Sequence, residues 1–181
     1  MRRAAFLDRD GVIVHQTEGY LTRPEDMRLV AGAAEAIRDL RASGLLAVVV
    51  TNQAGVAKGY LTPGELDELH TELRRRLRGA GGDLDGIYVC PHAPEEGCDC
   101  RKPAAGLLHR AARELNIDLV HSYLVGDTTT DVEAAHRAGC FAILVRTGFG
   151  GEDGGSADHP DAVCADLAAA AQFILAREAA G

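Results

Sequence analysis

The sequence predicts an α/β fold: a doubly wound parallel sheet with helices on both faces. Three observations predict it. Short apolar runs recur along the chain, and they are continuous rather than alternating, as in strands covered on both faces. Helix-like stretches alternate with them, which implies right-handed crossovers. The unusual polar clusters each follow the end of an apolar run, where sheets of this kind bind ligands.

The elements follow in order. AAFL at residues 4–7 is the first strand and leads straight into Asp8 and Asp10. AGAAEAIRDLRASG is a helix that stops at Gly44, a suitable C-terminal cap. LLAVVV at 45–50 is the second strand and ends in Thr51, Asn52 and Gln53. TPGELDELHTELRRRLRG is the second helix, with Thr62 as N-cap, Pro63 in the first turn, Glu65 three residues after the cap and closure near Gly79. GIYVC at 86–90 is the third strand, followed by a cysteine-rich segment and then Arg101 and Lys102. PAAGLLHRAARELN is the third helix, and SYLV at 122–125 the fourth strand, ending in GDTTTD. TDVEAAHRAG, FAILV at 141–145 and a final helix at about 165–178 complete the alternation. TGFGGEDGGSADHPD, with five glycines between residues 148 and 155, reads as a mobile surface loop. The 181 residues are expected to form one domain, residues 1–181.

Composition narrows the function. The chain is 46% hydrophobic but only 4% aromatic and has no Trp, so its core must be aliphatic. Its apolar runs are too short to span a bilayer, and the N-terminal run ends too early for a signal peptide. The expectation is a soluble, cytoplasmic protein, monomeric for want of an apolar surface stripe. A net charge of -8 argues against nucleic acid as the partner. Five cysteines without an export signal argue against a disulfide framework.

Several clusters carry chemistry. Two carboxylates as close as Asp8 and Asp10 either share a proton or hold a cation. One can attack phosphorus while the other moves a proton. A lone D-x-D is more often a solvated turn. Asp127 and Asp131 are a second acidic pair, suited to Mg²⁺ as hard oxygen ligands or simply to a helix start. Thr51 and the backbone after it can hold a phosphoryl oxygen, although a polar turn would look the same. Arg101 and Lys102 concentrate cations where an acidic protein would need them for a phosphate. Cys90, His92, Cys98 and Cys100 form C-x-H-x5-C-x-C, a closed tetrahedral set for structural Zn²⁺ and the most specific of these signals. A redox C-x-C pair is the weaker reading. Cys140 and Cys164 read as core residues, and the remaining histidines, His70 among them, as surface or packing residues.

Taken together, FLDRDGVIV, VVVTNQAGVAKG, CRKP and YLVGDTTTD resemble the four motifs of the haloacid dehalogenase-like phosphatases, over about residues 4 to 148. The zinc cluster within DLDGIYVCPHAPEEGCDCRKPAAGLL, with EGY at 18–20 and LVRTG at 144–148, is similar to the heptose 1,7-bisphosphate 7-phosphatase family. Histidinol-phosphate phosphatases share the zinc pattern and are the alternative. A zinc-braced binding module without catalysis is a remoter one. The resemblance implies a Rossmann-like sheet with no large cap domain and a zinc loop, residues 90–100, after the third strand. It implies Asp8 as nucleophile and Asp10 as general acid/base. Mg²⁺ would sit on Asp8, the backbone carbonyl of Asp10 and Asp127, with Asp131 behind. Thr51 and Lys102 would stabilise the phosphoryl group and Arg101 would recognise substrate, a small sugar phosphate. Thr17, Glu18, Gly19, Tyr20, Asn52, Gln53, Ala54 and Thr128 would line the substrate site. Glu18 stands where the family pattern has histidine, which leaves the anomer preference open.

Overall fold

The computed structural model of the chain describes residues 1–155 and 158–180. Six strands form one parallel sheet in the order β3-β2-β1-β4-β5-β6. They are β1 (Ala4–Leu7), β2 (Leu46–Asn52), β3 (Gly86–Cys90), β4 (Tyr123–Gly126), β5 (Phe141–Val145) and β6 (Ala162–Cys164). The helices are α1 (Ala33–Ala42), α2 (Pro63–Gly79), α3 (Gly106–Leu115), α4 (Thr129–Ala138) and α5 (Leu167–Ala180). The order runs outward from β1 to β3, then reverses and continues from β4. That reversal opens a crevice beyond the carboxyl ends of β1 and β4. Two large polar clusters of the sequence, around Asp8 and around Asp127, flank it.

Alternation along the buried strands splits the core in two. Ala5 and Leu7 face a cluster with α1, α2 and α5, while Ala4 and Phe6 face one with α3 and α4. Helices therefore cover both faces, and no large cap domain stands over the crevice among the described residues. On α2, Leu66, Leu69, Leu73 and Leu77 make the buried stripe. Each fully buried leucine contributes roughly 1.5–3 kcal/mol from removal of apolar surface from water. Thr62 and Glu65 form the expected capping box. No helix among the described residues is long and apolar enough to cross a membrane.

One expectation needs correction and another needs extending. A sixth strand, β6, pairs with β5 at the sheet edge, and it carries Cys164 at intermediate exposure rather than in the core. Three residues with a half-exposed valine give almost no periodic signal. The glycine-rich loop lies at the surface as expected, and the structure adds its attachment to the site. Phe149 donates its backbone N–H to Asp127 Oδ2 at 2.8 Å, and Gly151 donates to the Asp127 carbonyl at 2.8 Å. Asp153 accepts from the backbone and hydroxyl of Thr129, each at 2.8 Å. These bonds tie the loop to the start of α4. The loop's remaining expectation falls partly on Ser156 and Ala157, which lie outside the described residues.

Candidate active site

Four strand ends supply the site. At the end of β1 the chain turns through Gly11, whose φ of 81° suits glycine. A Cβ there would lie 2.1 Å from Asp127 Oδ2, and one on Gly148 would lie 2.0 Å from the same atom. Asp127 is thus packed between two bare backbones, and any side chain at either glycine would displace it. Gly126 serves Asp131 in the same way, since a Cβ there would strike the Asp131 side chain.

One carboxylate oxygen from each of Asp8, Asp127 and Asp131 can be chosen so that all three lie within 4.8 Å of one another. Lys102 stands among them. Its Nζ is 3.0 Å from Asp8 Oδ2 and 2.6 Å from Asp131 Oδ1, and it donates to the Val50 carbonyl at 2.9 Å. The side chain is buried. Burial alone would lower its pKa, but Asp131 and Asp8 outweigh that and hold it above the ordinary lysine value. Asn52 grips the Lys102 backbone twice: its amide donates to the carbonyl at 3.1 Å and its oxygen accepts the N–H at 3.0 Å. Lys102 is therefore fixed at both ends.

Asp10 lines the same crevice and is held by a second network. Arg9, 1% exposed, donates from Nε at 3.1 Å and from Nη2 at 2.9 Å to Asp10 Oδ2. Gln53 donates to that oxygen at 2.9 Å and to Thr51 Oγ1 at 2.9 Å, and accepts from Arg9 Nη2 at 2.9 Å. His70 on α2 lies behind Arg9, with Nε2 3.4 Å from Nη1. Burial, aided by the Arg9 charge, lowers the His70 pKa to about 4, so the ring is neutral at ordinary pH.

The crevice is lined by Asp8, Arg9, Asp10, Thr17, Gly19, Tyr20, Thr51, Asn52, Gln53, Arg101, Lys102, Asp127 and Thr128, with Gln16, Leu21, Thr130 and Phe149 besides. Its volume is about 220 Å³. Most of the residues picked from the sequence thus meet there. Glu18 and Ala54 do not line it, and Ala54 is buried behind the loop. The Gln53 amide is committed to Arg9, Asp10 and Thr51, so it supports the site rather than presenting a free group. Thr128 caps α4 in a capping box with Asp131. Tyr20 stacks on Tyr60 with centroids 5.0 Å apart, which docks the 17–20 loop onto the segment after β2. Arg9, His70 and Phe149 were missed. Arg9 hid between two acids as an apparent surface residue. His70 had a signal: it occupies the leucine stripe of α2.

The three clustered carboxylates fit Mg²⁺. Burial raises Asp8 to about 6, with Asp131 and Asp10 adding to the effect and Lys102 opposing it. Burial likewise raises Asp127 to about 7. One ammonium does not satisfy three clustered acids, two of them buried and one half-buried, and a hard dication would. Both folded values exceed the unfolded value of about 3.9. The stability these groups contribute is therefore complete below about pH 4 and is lost as pH rises through about 6 to 7. Mg²⁺ would reverse that loss, because it would bind the ionised forms. The rise in Tm on adding Mg²⁺ is expected to be larger at pH 8 than at pH 5, measured by thermal melts with and without the ion. Equal shifts at the two pH values would contradict carboxylate ligation.

Cys90, His92, Cys98 and Cys100 also converge, with one ligand atom each within 4.8 Å. The Cys90–Cys98 and Cys98–Cys100 sulfurs are 3.5 and 3.4 Å apart, and His92 Nδ1 is 3.6 and 3.2 Å from the sulfurs of Cys90 and Cys100. These sulfurs are too far apart for disulfides. A tetrahedron with arms of ~2.0–2.3 Å has edges of about 3.3–3.8 Å, within about 0.1 Å of all four separations, so the set fits Zn²⁺. Burial raises the thiol pKa of Cys90 and Cys100, which a zinc ion would reverse. The loop joins the site directly: Arg101 donates to the His92 carbonyl at 3.3 Å and lines the crevice.

Known proteins resemble this chain over most of its length. A HAD-hydrolase-like family model matches residues 99–170. The D-glycero-beta-D-manno-heptose-1,7-bisphosphate 7-phosphatase of Bordetella bronchiseptica is 37% identical over 94% of this chain and 96% of its own length. The D-glycero-D-manno-heptose-1,7-bisphosphate 7-phosphatase of Thermosynechococcus vestitus is 42% identical over 96% of this chain and 95% of its own. The crystal structure of D,D-heptose 1,7-bisphosphate phosphatase from B. bronchiseptica, complexed with magnesium and phosphate, superposes with a TM-score of 0.90. It is 36% identical and covers 97% of this chain and 99% of that one. With that fold and that identity over nearly the whole length, the chain is a phosphoric monoester hydrolase of the haloacid dehalogenase-like superfamily and belongs to its D-glycero-D-manno-heptose 1,7-bisphosphate 7-phosphatase family.

Proposed function

We propose that the enzyme removes the 7-phosphate of D-glycero-D-manno-heptose 1,7-bisphosphate through an aspartyl-phosphate on Asp8. The observation that carries this reading is the meeting of Asp8, Lys102 and Asp127 at the switch-point crevice, which Asp10 also lines. An oxygen of Asp8 bonds to phosphorus as the bond from phosphorus to the sugar oxygen breaks. Asp10 gives its proton to that leaving oxygen. Asp10 then takes a proton from water, whose oxygen attacks the aspartyl-phosphate and releases inorganic phosphate with Asp8 restored. Lys102 and Thr51 stabilise charge on the transferring group. Mg²⁺ held by Asp8, the Asp10 carbonyl and Asp127, with Asp131 behind, would neutralise phosphoryl oxygens and orient them for in-line attack. Arg101, beside Thr17, Gly19, Tyr20, Asn52 and Thr128, would receive the rest of the substrate. Zinc at Cys90, His92, Cys98 and Cys100 would hold the Arg101 loop in place. The working unit is taken as a monomeric single domain, residues 1–181.

A substrate panel tests the specific part. With Mg²⁺ present, kcat/KM for the heptose bisphosphate should exceed that for histidinol phosphate by roughly tenfold or more. Arg101 offers a charge-assisted contact that a second phosphate can use, and such a contact is worth about 1.5–3 kcal/mol. A reversed ranking would transfer the assignment to histidinol phosphate.

A further inference from the structure

The buried face of α2 contains a polar group that the proposed chemistry leaves unused. Leu66, Leu69, Leu73 and Leu77 bury themselves against the sheet, and His70 lies in the same stripe, 8% exposed. A leucine there would pack without desolvating an imidazole, so packing alone does not explain a histidine. Its only hydrogen-bond contact among the described residues is with Arg9 Nη1, at 3.4 Å. Arginine has no acceptor, so His70 Nε2 accepts and the ring proton sits on Nδ1.

Arg9 is a buried cation, and each face of its planar fork is used. Nε and Nη2 hold the Asp10 carboxylate, and Nη2 also reaches Gln53. Nη1 points away from Asp10, toward α2. A guanidinium gripped on one edge alone can still tilt, and its tilt moves the carboxylate it carries. A second contact on the opposite edge fixes the plane. We propose that His70 is a positioning residue, which anchors the far edge of Arg9 and so aims the Asp10 carboxyl at the leaving-group oxygen. The proposal rests on the acid/base role given to Asp10 above. It makes the rigid helix α2 a support for catalysis, although no residue of α2 reaches the crevice.

The test uses the full-length enzyme with Mg²⁺. H70L keeps the apolar stripe and removes the acceptor, whereas H70Q keeps an acceptor oxygen. H70L should melt close to the parent yet lose kcat on the order of tenfold at nearly unchanged KM, as expected when a reacting group is slightly misaimed. H70Q should recover most of that loss. In an R9Q background, H70L should cost nothing further, because its effect passes through Arg9. If H70L does not fold, H70M and H70Q, similar in length and differing in the acceptor, read the same contrast. A parental kcat in H70L, equal losses in H70M and H70Q, or an undiminished loss in the R9Q background would overturn the proposal. D10N measured alongside separates the two levels. An active D10N removes the acid/base role itself, whereas an inactive D10N with an unaffected H70L removes only the role of His70.

Discussion

Asp8→Asn will lower kcat on the order of 10⁴-fold or more while leaving the fold in place. The size follows from what the substitution removes. An amide cannot form the phosphoryl-enzyme bond, and groups that act as a unit with a nucleophile do not compensate for its loss. Stability should barely follow. Asn has the same shape, and its oxygen can still accept the Arg9 backbone N–H that Asp8 Oδ1 accepts at 2.7 Å. Lys102 retains Asp131 at 2.6 Å. Burial already penalises the ionised form of Asp8, so removing its charge relieves one cost while weakening one ion pair. The change in Tm should stay under about 4 °C, near 1 kcal/mol for a chain of this length. Phosphate release under saturating substrate and Mg²⁺, with circular dichroism melts, checks both halves. A variant that turns over at the parent rate would end the covalent mechanism, and one that is inactive because it is unfolded would say nothing for it.

The strands β1 to β5 could be read from the sequence because parallel strands are buried on both faces, and burial leaves a continuous apolar run. The site could be read for a related reason. Such sheets gather ligands at carboxyl ends, so polar residues that directly follow apolar runs stand out. Asp8, Thr51 and Asp127 have that placement, Lys102 instead follows the cysteine-rich segment after the third strand, and all four line one crevice. What escaped had a different cause. Strand β6 is three residues long and sits at the edge, so burial wrote no pattern into it. Arg9 is buried because three polar partners compensate its charge, and those partners are 1, 44 and 61 residues away. A linear pattern does not carry such compensation. The glycine-rich loop lies at the surface as expected, but its glycines did not reveal that Gly148 is needed for close approach to Asp127.

Zinc removal should produce the other large effect, and it should divide unevenly between stability and rate. With zinc bound, the four residues would close a loop from Cys90, fully buried at the end of β3, to Cys100, two residues before Lys102. Among the described residues strand β3 is an edge strand paired with β2 alone, and beyond that ladder its end is held by the Gln53 N–H on the Cys90 carbonyl at 2.7 Å and the Ala57 N–H on the Pro91 carbonyl at 3.2 Å. Opening the clip restores conformational freedom to the loop, as breaking a short cross-link does, at about 3 kcal/mol. For a chain of this length that lowers Tm by roughly 6–12 °C. Cys98→Ser should reproduce the effect by removing one ligand from an intermediately exposed position, with little loss of packing. The rate should fall less than in Asp8→Asn. Asn52 holds the Lys102 backbone by two bonds that do not depend on the loop, and the Lys102 side chain is fixed by Asp8, Asp131 and Val50. The Arg101 side chain has no such second anchor among the described residues, only the His92 carbonyl within the loop itself. The loss should therefore fall mainly on KM for a substrate that uses Arg101. Metal content, melts and steady-state kinetics on the same zinc-stripped sample decide the matter: a protein that loses its zinc with Tm and KM both unchanged would show that the cysteines do not brace the site.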